Sequence, residues 1–425
     1  MEPPEAGESA EAVLAALAAG ARKGPIWLHL LVADRCNHTC VHCYQVQGLK
    51  GELPRSQIEK LLREFRATGG FVVSFSGGEA TLREDLVPML AYAHELGLAT
   101  VLYTNGFSMT EELASAIAAC HVWRVDISVY SHRAEEHDAV TGVPGSWAKT
   151  VDGIRRLRQK RVNVSIKFTP TAPSTAGAKQ IADLARELDT QLLVGELVSA
   201  GEAGRSEPTH ARREPENAIA EAAVPANPLE GKPCGAGSLL SVRSDGQVQP
   251  CAQLSTPMGH IGDDATGLAQ AAASEVAQFF RQVTWADFPG CRECDLRSHC
   301  RRCYASAAAE VGDMLAPYRG ACELALARYQ KQSGRAVQLT ADSSGAPARD
   351  PAVGPFSVNS DGNLRQAKAQ HTAYDRELLD RYPWLRPSRE ALQSVACGVD
   401  PAQHERGLIQ LRRPKKSGFE GNTER

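Results

Sequence analysis

No stretch of this chain approaches the run of about 18 apolar residues that a membrane-spanning helix needs. Charge of one sign is also scarce. The net charge is only −3, so no whole-protein field draws in nucleic acid, and partners must be argued from local sites. The N-terminal stretch MEPPEAGESAEAV is acidic where a secretion signal is basic, so a cytoplasmic location is expected, with neither a membrane nor a nucleic-acid partner. Internal repeats of the kind that mark solenoids are missing as well. What the chain does have is length, 425 residues, enough for two domains or one with appendages, and twelve cysteines. A reducing compartment and a large core leave disulfides without a purpose, and metal ligation becomes the leading explanation. Ten of the twelve fall in two groups, Cys36 to Cys43 and Cys234 to Cys322. Cys120 and Cys397 stand apart, and Cys120 reads as a small buried hydrophobe closing a helix.

From residue 26 short strands alternate with amphipathic helices. The strand candidates are Ile26–Val32, Phe71–Ser76, Thr100–Thr104, Arg124–Tyr130, Val162–Thr169 and Gln191–Val198, each rich in Val, Ile, Leu or Phe. Helical stretches fall at Pro54–Ala67, Glu84–Leu96, Glu111–Ala119, Ser146–Gln159 and Thr175–Leu188. This order predicts an α/β fold, a partial (β/α)6 TIM-type barrel over 26–200, with its active site at the strand C-terminal ends. Residues 1–25 form an N-terminal extension, and 201–230, rich in Gly, Glu, Arg and Pro, read as a linker. A small cysteine-rich C-terminal domain occupies 231–330. Residues 331–360 read as a flexible linker. In the tail, 361–425, YDRELLDRYPWLRP suggests a short helix and RRPKK a solvated basic end.

The segment DRCNHTCVHCYQ follows the first strand and so occupies the first strand-to-helix loop. Cys36, Cys40 and Cys43 in the spacing CxxxCxxC can hold three irons of a [4Fe–4S] cubane and leave the fourth iron open. An open iron can chelate the amine and carboxylate of S-adenosylmethionine (SAM). Three ligands of a structural zinc, completed by His38 or His42, are the competing reading.

After the cysteines come FSGGEATLR at the second strand and YTNG at the third, and across residues 25–200 the chain resembles the radical SAM superfamily. The resemblance implies reductive cleavage of SAM to a 5′-deoxyadenosyl radical. It implies that Gly77, Gly78 and Glu79 bind the SAM methionine amine, which suits glycines that admit close approach and a carboxylate that accepts from ammonium. It places Asn105 and Ser128 at the methionine or ribose, positions with equally simple readings as turn and strand-end residues, and sets His42 where an aromatic lines the adenine. Lys167 could neutralise a carboxylate, although a snorkelling surface lysine is the simpler reading. The arginine that some relatives use for the SAM carboxylate has no counterpart in HDAVTG, and no catalytic residue is assigned.

The later cysteines, Cys234, Cys251, Cys291, Cys294, Cys300, Cys303 and Cys322, with Gly246 before Cys251, resemble the SPASM extension of radical SAM enzymes. One departure is visible: Arg301 and Arg302 alone separate Cys300 from Cys303, one residue fewer than the pattern has. The resemblance assigns Cys291, Cys294, Cys300 and Cys322 to one auxiliary [4Fe–4S] cluster. Cys234, Cys251 and Cys303 go to another, with its fourth site open or filled by a carboxylate such as Glu230. A zinc ribbon is the alternative for paired cysteines of this kind.

The family implies a peptide or protein substrate, modified by crosslink, thioether or epimerisation, and an electron donor such as flavodoxin or ferredoxin. Since only 1–25 precede the first strand, a separate peptide-recognition protein or the C-terminal tail would supply recognition. Tetrapyrrole or cofactor biosynthesis is the first alternative. Anaerobic sulfatase maturation is weaker, because Ala252 stands where that branch places an aspartate. A non-enzymatic zinc or iron–sulfur protein comes last.

Overall fold

The computed structural model describes residues 25–334, apart from 46, 49–50, 196–197, 199–227, 229, 263–266, 289 and 312, together with 339–340, 356–358 and 364–366. The N-terminal extension, most of both linkers and the expected helix in the tail lie outside the described residues. Six parallel strands form the expected partial barrel: β1 (Trp27–Ala33), β2 (Val72–Gly77), β3 (Ala99–Thr104), β4 (Arg124–Ser128), β5 (Val164–Phe168) and β6 (Gln191–Val194). They pair in sequence order, each with the next, and helices make the crossovers.

The sheet does not stop at six. From the cysteine-rich region β7 (Leu239–Val242) pairs in parallel with β1, and β8 (Gln247–Gln249) and β9 (Gly259–His260) continue antiparallel, so the full order is β6-β5-β4-β3-β2-β1-β7-β8-β9. The second cysteine region is therefore stitched to the edge of the barrel that carries the first. A helix over Ala134–Thr141 was not expected from the sequence. Its only apolar residues are two alanines and a valine, so no stripe marks it.

Apolar spacing explains the helices. In Arg55–Ala67 the buried residues are Ile58, Leu61, Leu62 and Phe65, one stripe at three- and four-residue intervals packed on the sheet. Each fully buried side chain of this type contributes roughly 1.5–3 kcal/mol. Gly70 returns the chain beneath the Phe65 ring, where a Cβ would sit 2.4 Å from it. Helix Glu111–Ala119 begins at Thr110, whose hydroxyl accepts from Leu113 N–H at 3.1 Å, and ends at Cys120, which is buried as expected.

The two faces of the barrel sheet differ. Leu28, Leu30, Phe75, Leu102, Ile127 and Ile166 point to the helices and join one large core. The opposite face alternates with them and carries Trp27, His29, Ser74, Tyr103, Asp126 and Lys167. Parallel sheets are ordinarily apolar on both faces. A polar inner face marks a space kept for something other than core.

Candidate active site and cysteine centres

The register between β1 and β2 slips between Leu31 and Ala33, so the chain turns out of the sheet just before Cys36. Main-chain bonds then fasten the cysteine loop to the end of β2. Gly78 N–H donates to Ala33 O at 2.7 Å and Glu79 N–H to Arg35 O at 2.9 Å. A Cβ on Gly77, which has φ +136°, would lie 2.4 Å from Ala33 O, and one on Gly78 would lie 2.3 Å from Arg35 O. These glycines therefore serve the loop itself, a reason the sequence does not disclose. A second attachment runs to the end of the 134–141 helix, where Thr39 N–H reaches Thr141 O and Val41 N–H reaches Val140 O, both at 3.0 Å.

Burial pushes the Cys36 thiol up to about 11, and the charges of Glu79 and Cys43 add to the rise while the His38 N–H, 3.4 Å from the sulfur, opposes it. Burial likewise raises the Cys40 thiol, more steeply, with Cys43 and Cys36 next in weight. The sulfurs are thus close enough to resist one another's ionisation. A bound cationic centre reverses that resistance. His38 is 2% exposed with both ring nitrogens unpartnered, and its ring stands edge-on to Phe107 at 5.3 Å. Among the described residues no three His, Cys, Asp or Glu side chains gather tightly enough to hold a single metal ion.

The other residues singled out by sequence collect at the same rim. Glu79 is 2% exposed. Its Oε1 accepts from Thr81 N at 3.1 Å, Thr81 Oγ1 at 2.7 Å and Thr104 Oγ1 at 2.6 Å; among the described residues Oε2 accepts from Asn105 N alone, at 2.7 Å. One lone pair on Oε2 remains for a further donor. The Asn105 side chain engages its neighbours, donating to Asn37 Oδ1 at 2.7 Å and accepting from Phe107 N at 2.9 Å. Ser128 ends β4, and its hydroxyl meets Tyr130. His42 stands edge-on to that same tyrosine at 4.7 Å, and burial, then the charge of Lys167, lowers its pKa to about 4.

Lys167 lies on the inner face of the sheet, exposed there. It pairs in register with Ser128 on the inner face, and its ammonium lies 4.7 Å from the centre of the Tyr103 ring. Desolvation by the surrounding protein lowers its pKa, with the Arg124 charge adding to the fall and Asp126 opposing it. Asp126 does not neutralise it by contact, being held by Arg124 at 2.6 and 3.0 Å. Nothing in one-residue sequence context placed this lysine on the inner face; alternation against Ile166 and Phe168 was the available signal.

In the second region Cys251 follows β8, and Gly246, with φ +95°, makes the turn between β7 and β8, where a Cβ would meet Ile261 O at 2.3 Å. Cys294, Cys300 and Cys322 pack around Leu296 and Ala325, and Cys251, Cys291 and Cys303 pack against the cluster that holds Phe280 and Phe288. Burial raises Cys300 well above its ordinary range, followed by the charges of Cys322 and Cys291, with Cys294 also contributing. Burial raises Cys251 to about 12, followed by Cys303 and Cys234. Gln253 is the side chain found against the three-cysteine set, accepting from Cys303 Sγ at 3.5 Å, while Glu230 is exposed. Around the sets pack Phe280, Phe288 and Tyr304, the last two with ring centres 5.8 Å apart.

Comparison with known proteins gives these arrangements a context. Residues 30–188 match the model of the Radical SAM superfamily. An AdoMet-dependent heme synthase of Oleidesulfovibrio alaskensis is 34% identical over 160 residues, covering 37% of this chain and 41% of that protein. The mycofactocin maturase MftC of Mycobacterium tuberculosis is 31% identical over 180 residues, 42% of this chain and 46% of the maturase. These matches span less than half of either relative. The crystal structure of native anSMEcpe with bound AdoMet and Cp18Cys peptide superposes with a TM-score of 0.54 at 15% identity, over 73% of this chain and 98% of that one, which is a likeness of fold. Among the described residues no helix is long and apolar enough to cross a membrane.

Proposed function

With residues 30–188 matching the model of the Radical SAM superfamily, we propose that this chain is a peptide- or protein-modifying radical SAM enzyme with two auxiliary clusters. Cys36, Cys40 and Cys43 hold three irons of the first [4Fe–4S] cluster. The observation that carries this reading is the seating of their loop on Gly77 and Gly78, which unites the cysteine and GGE motifs into one backbone-bonded unit at the barrel rim. The donor set fits: three thiols on one short loop can become thiolates once iron supplies positive charge. When bound by Cys36, Cys40 and Cys43, such a cluster would supply the electron for reductive cleavage of SAM.

The chain's own residues orient SAM. Oε2 of Glu79, with one lone pair free, accepts from the methionine ammonium. His42, kept neutral by burial, lines the adenine beside Tyr130, and Ser128 stands at the methionine or ribose. Asn105 holds Asn37 and the following turn with one N–H and one lone pair of its amide, and the remaining N–H and lone pair serve the methionine or ribose of SAM. Lys167, beside Ser128 and without a carboxylate in contact among the described residues, takes the SAM carboxylate. The polar inner face receives the substrate.

The barrel, 26–200, and the module, 231–330, then have separate tasks, SAM cleavage in one and electron transfer or substrate positioning through Cys291, Cys294, Cys300, Cys322 and Cys234, Cys251, Cys303 in the other. Support for a peptide comes from the fold shared with a peptide-bound structure and from the maturase among the relatives. A tetrapyrrole substrate is the second reading, favoured by the heme synthase match. The test supplies the reconstituted, reduced chain with SAM and either a peptide encoded beside its gene or an iron porphyrin. Peptide-dependent 5′-deoxyadenosine and a mass change in the peptide support the first reading; a porphyrin-dependent response with no peptide response overturns it.

A further inference from the structure

The short gap between Cys300 and Cys303 ends in Arg302, and this arginine is 5% exposed. Its guanidinium is held from several sides. Nη1 donates to Leu315 O at 3.0 Å; Nη2 donates to Met314 O at 2.7 Å and Ala316 O at 3.0 Å. The Phe288 ring lies 4.2 Å from its carbon and the Tyr318 ring 5.9 Å away. Nη1 also reaches Cys291 Sγ at 3.5 Å. Its partners are carbonyls, rings and a sulfur, and none of the ion pairs among the described residues includes it.

A guanidinium taken out of water without a counter-charge costs several kcal/mol, and carbonyl dipoles offset only part of that. A buried arginine outside the ion pairs of the described residues calls for an anionic partner, and the acidic group its guanidinium contacts is the Cys291 thiol, while the Asp313 carboxylate at the same turn accepts from Leu315 N–H at 2.8 Å. Arg302 stands between the two sets, directly before Cys303 of one in the chain and with Nη1 at Cys291 Sγ of the other. Tyr318, which accepts from Cys303 N–H at 2.8 Å, ties the arginine's ring shelf to the second set as well.

We propose that Arg302 is the shared counter-charge of the two auxiliary cluster sites and sets their reduction potentials. This rests on the reading that both cysteine sets hold iron–sulfur clusters. Adding an electron makes a thiolate-ligated cluster more negative, so a fixed cation and an N–H directed at a ligand sulfur favour the reduced form and raise the potential. The three carbonyls keep the guanidinium from following the charge, so the bias is built in before reduction. Arg302 is a positioning residue for electrons. It touches no substrate in this account.

The test uses the full chain carrying Cys36→Ala, Cys40→Ala and Cys43→Ala, so that only the module's clusters report, reconstituted with iron and sulfide under anaerobic conditions. Iron and sulfide content first establishes that clusters are present; a redox titration followed by electron paramagnetic resonance then gives their midpoints. Arg302→Gln is expected to disfavour reduction of at least one cluster about tenfold, which for a one-electron couple is about 59 mV more negative. Arg302→Lys keeps the charge, loses the planar fork, and is expected to move the equilibrium about two- to fivefold in the same direction. Full cluster content with unchanged midpoints in both variants overturns the proposal and leaves Arg302 as a brace for the 314–316 turn. Should the glutamine variant lose its clusters, the lysine variant decides alone, an unchanged midpoint counting against the proposal. Zinc in place of iron in the parent chain removes the cluster reading itself, and the inference with it.

Discussion

The two cysteine regions are held by different means. Around Cys36, Cys40 and Cys43 the backbone does the holding: N–H groups of Gly78 and Glu79 bond the loop to the strand end, and two glycines make room for it. Around the module's cysteines short backbone turns, such as Cys294 N–H to Cys291 O, are joined by buried side chains, with Arg302 threaded among three carbonyls and the Phe288 and Tyr318 rings against it. A backbone clamp fixes position and leaves the rim open to a ligand. A buried side-chain scaffold excludes water and fixes charge. The first arrangement suits chemistry on a bound small molecule, the second suits passing or storing electrons.

Substitutions that break the comparison should therefore act on one region at a time. The largest effect is expected from Gly78→Ala. Its Cβ would meet backbone 2.3 Å away, so the cysteine loop must move; overpacking of this kind costs about 1–3 kcal/mol. SAM cleavage should fall at least a hundredfold, measured as 5′-deoxyadenosine, while auxiliary iron stays in place. Equal losses of iron from both regions would show that they are not held separately.

Cys300→Ala should act in the other direction. About four irons per chain should be lost from the auxiliary complement, with SAM cleavage in the absence of substrate kept within about threefold and turnover of the native substrate abolished. Metal analysis beside the two assays checks it.

Lys167→Met should have the smallest effect and the most specific one. Its SAM affinity is expected to fall about tenfold, or about 1.4 kcal/mol, while decarboxylated SAM binds the parent and the variant alike. An equal loss for both ligands would detach Lys167 from the carboxylate and return it to the inner face as a general polar residue.

Much of this architecture was legible because it is periodic. Ile58, Leu61, Leu62 and Phe65 announce a helix, and alternation along VSIKF sets Ile166 against Lys167. The cysteine spacings, with the GGE run and the tyrosine–threonine–asparagine–glycine turn, carried the site. The 134–141 helix was hidden because its stability lies in polar contacts rather than an apolar stripe; Asp138, for instance, accepts from Gly145 N, Ser146 Oγ and Trp147 N. The pairing of β7 with β1 was hidden as well, since more than two hundred positions separate the strands and no local pattern encodes such a contact. Gly77 and Gly78 were found for one reason and owe their place equally to another. The place of Arg302 required the packed loop, although the shortened gap before Cys303 was the sign that this loop was unusual.

The most direct measurement compares the anaerobically reconstituted, dithionite-reduced parent chain with its Cys36→Ala/Cys40→Ala/Cys43→Ala variant for 5′-deoxyadenosine formed from SAM. The parent should form it, and the variant should form none while retaining about eight irons on the module's cysteines. A parent that binds iron and leaves SAM intact, or a variant that still cleaves it, would contradict the assignment of these three cysteines as the centre of the enzyme.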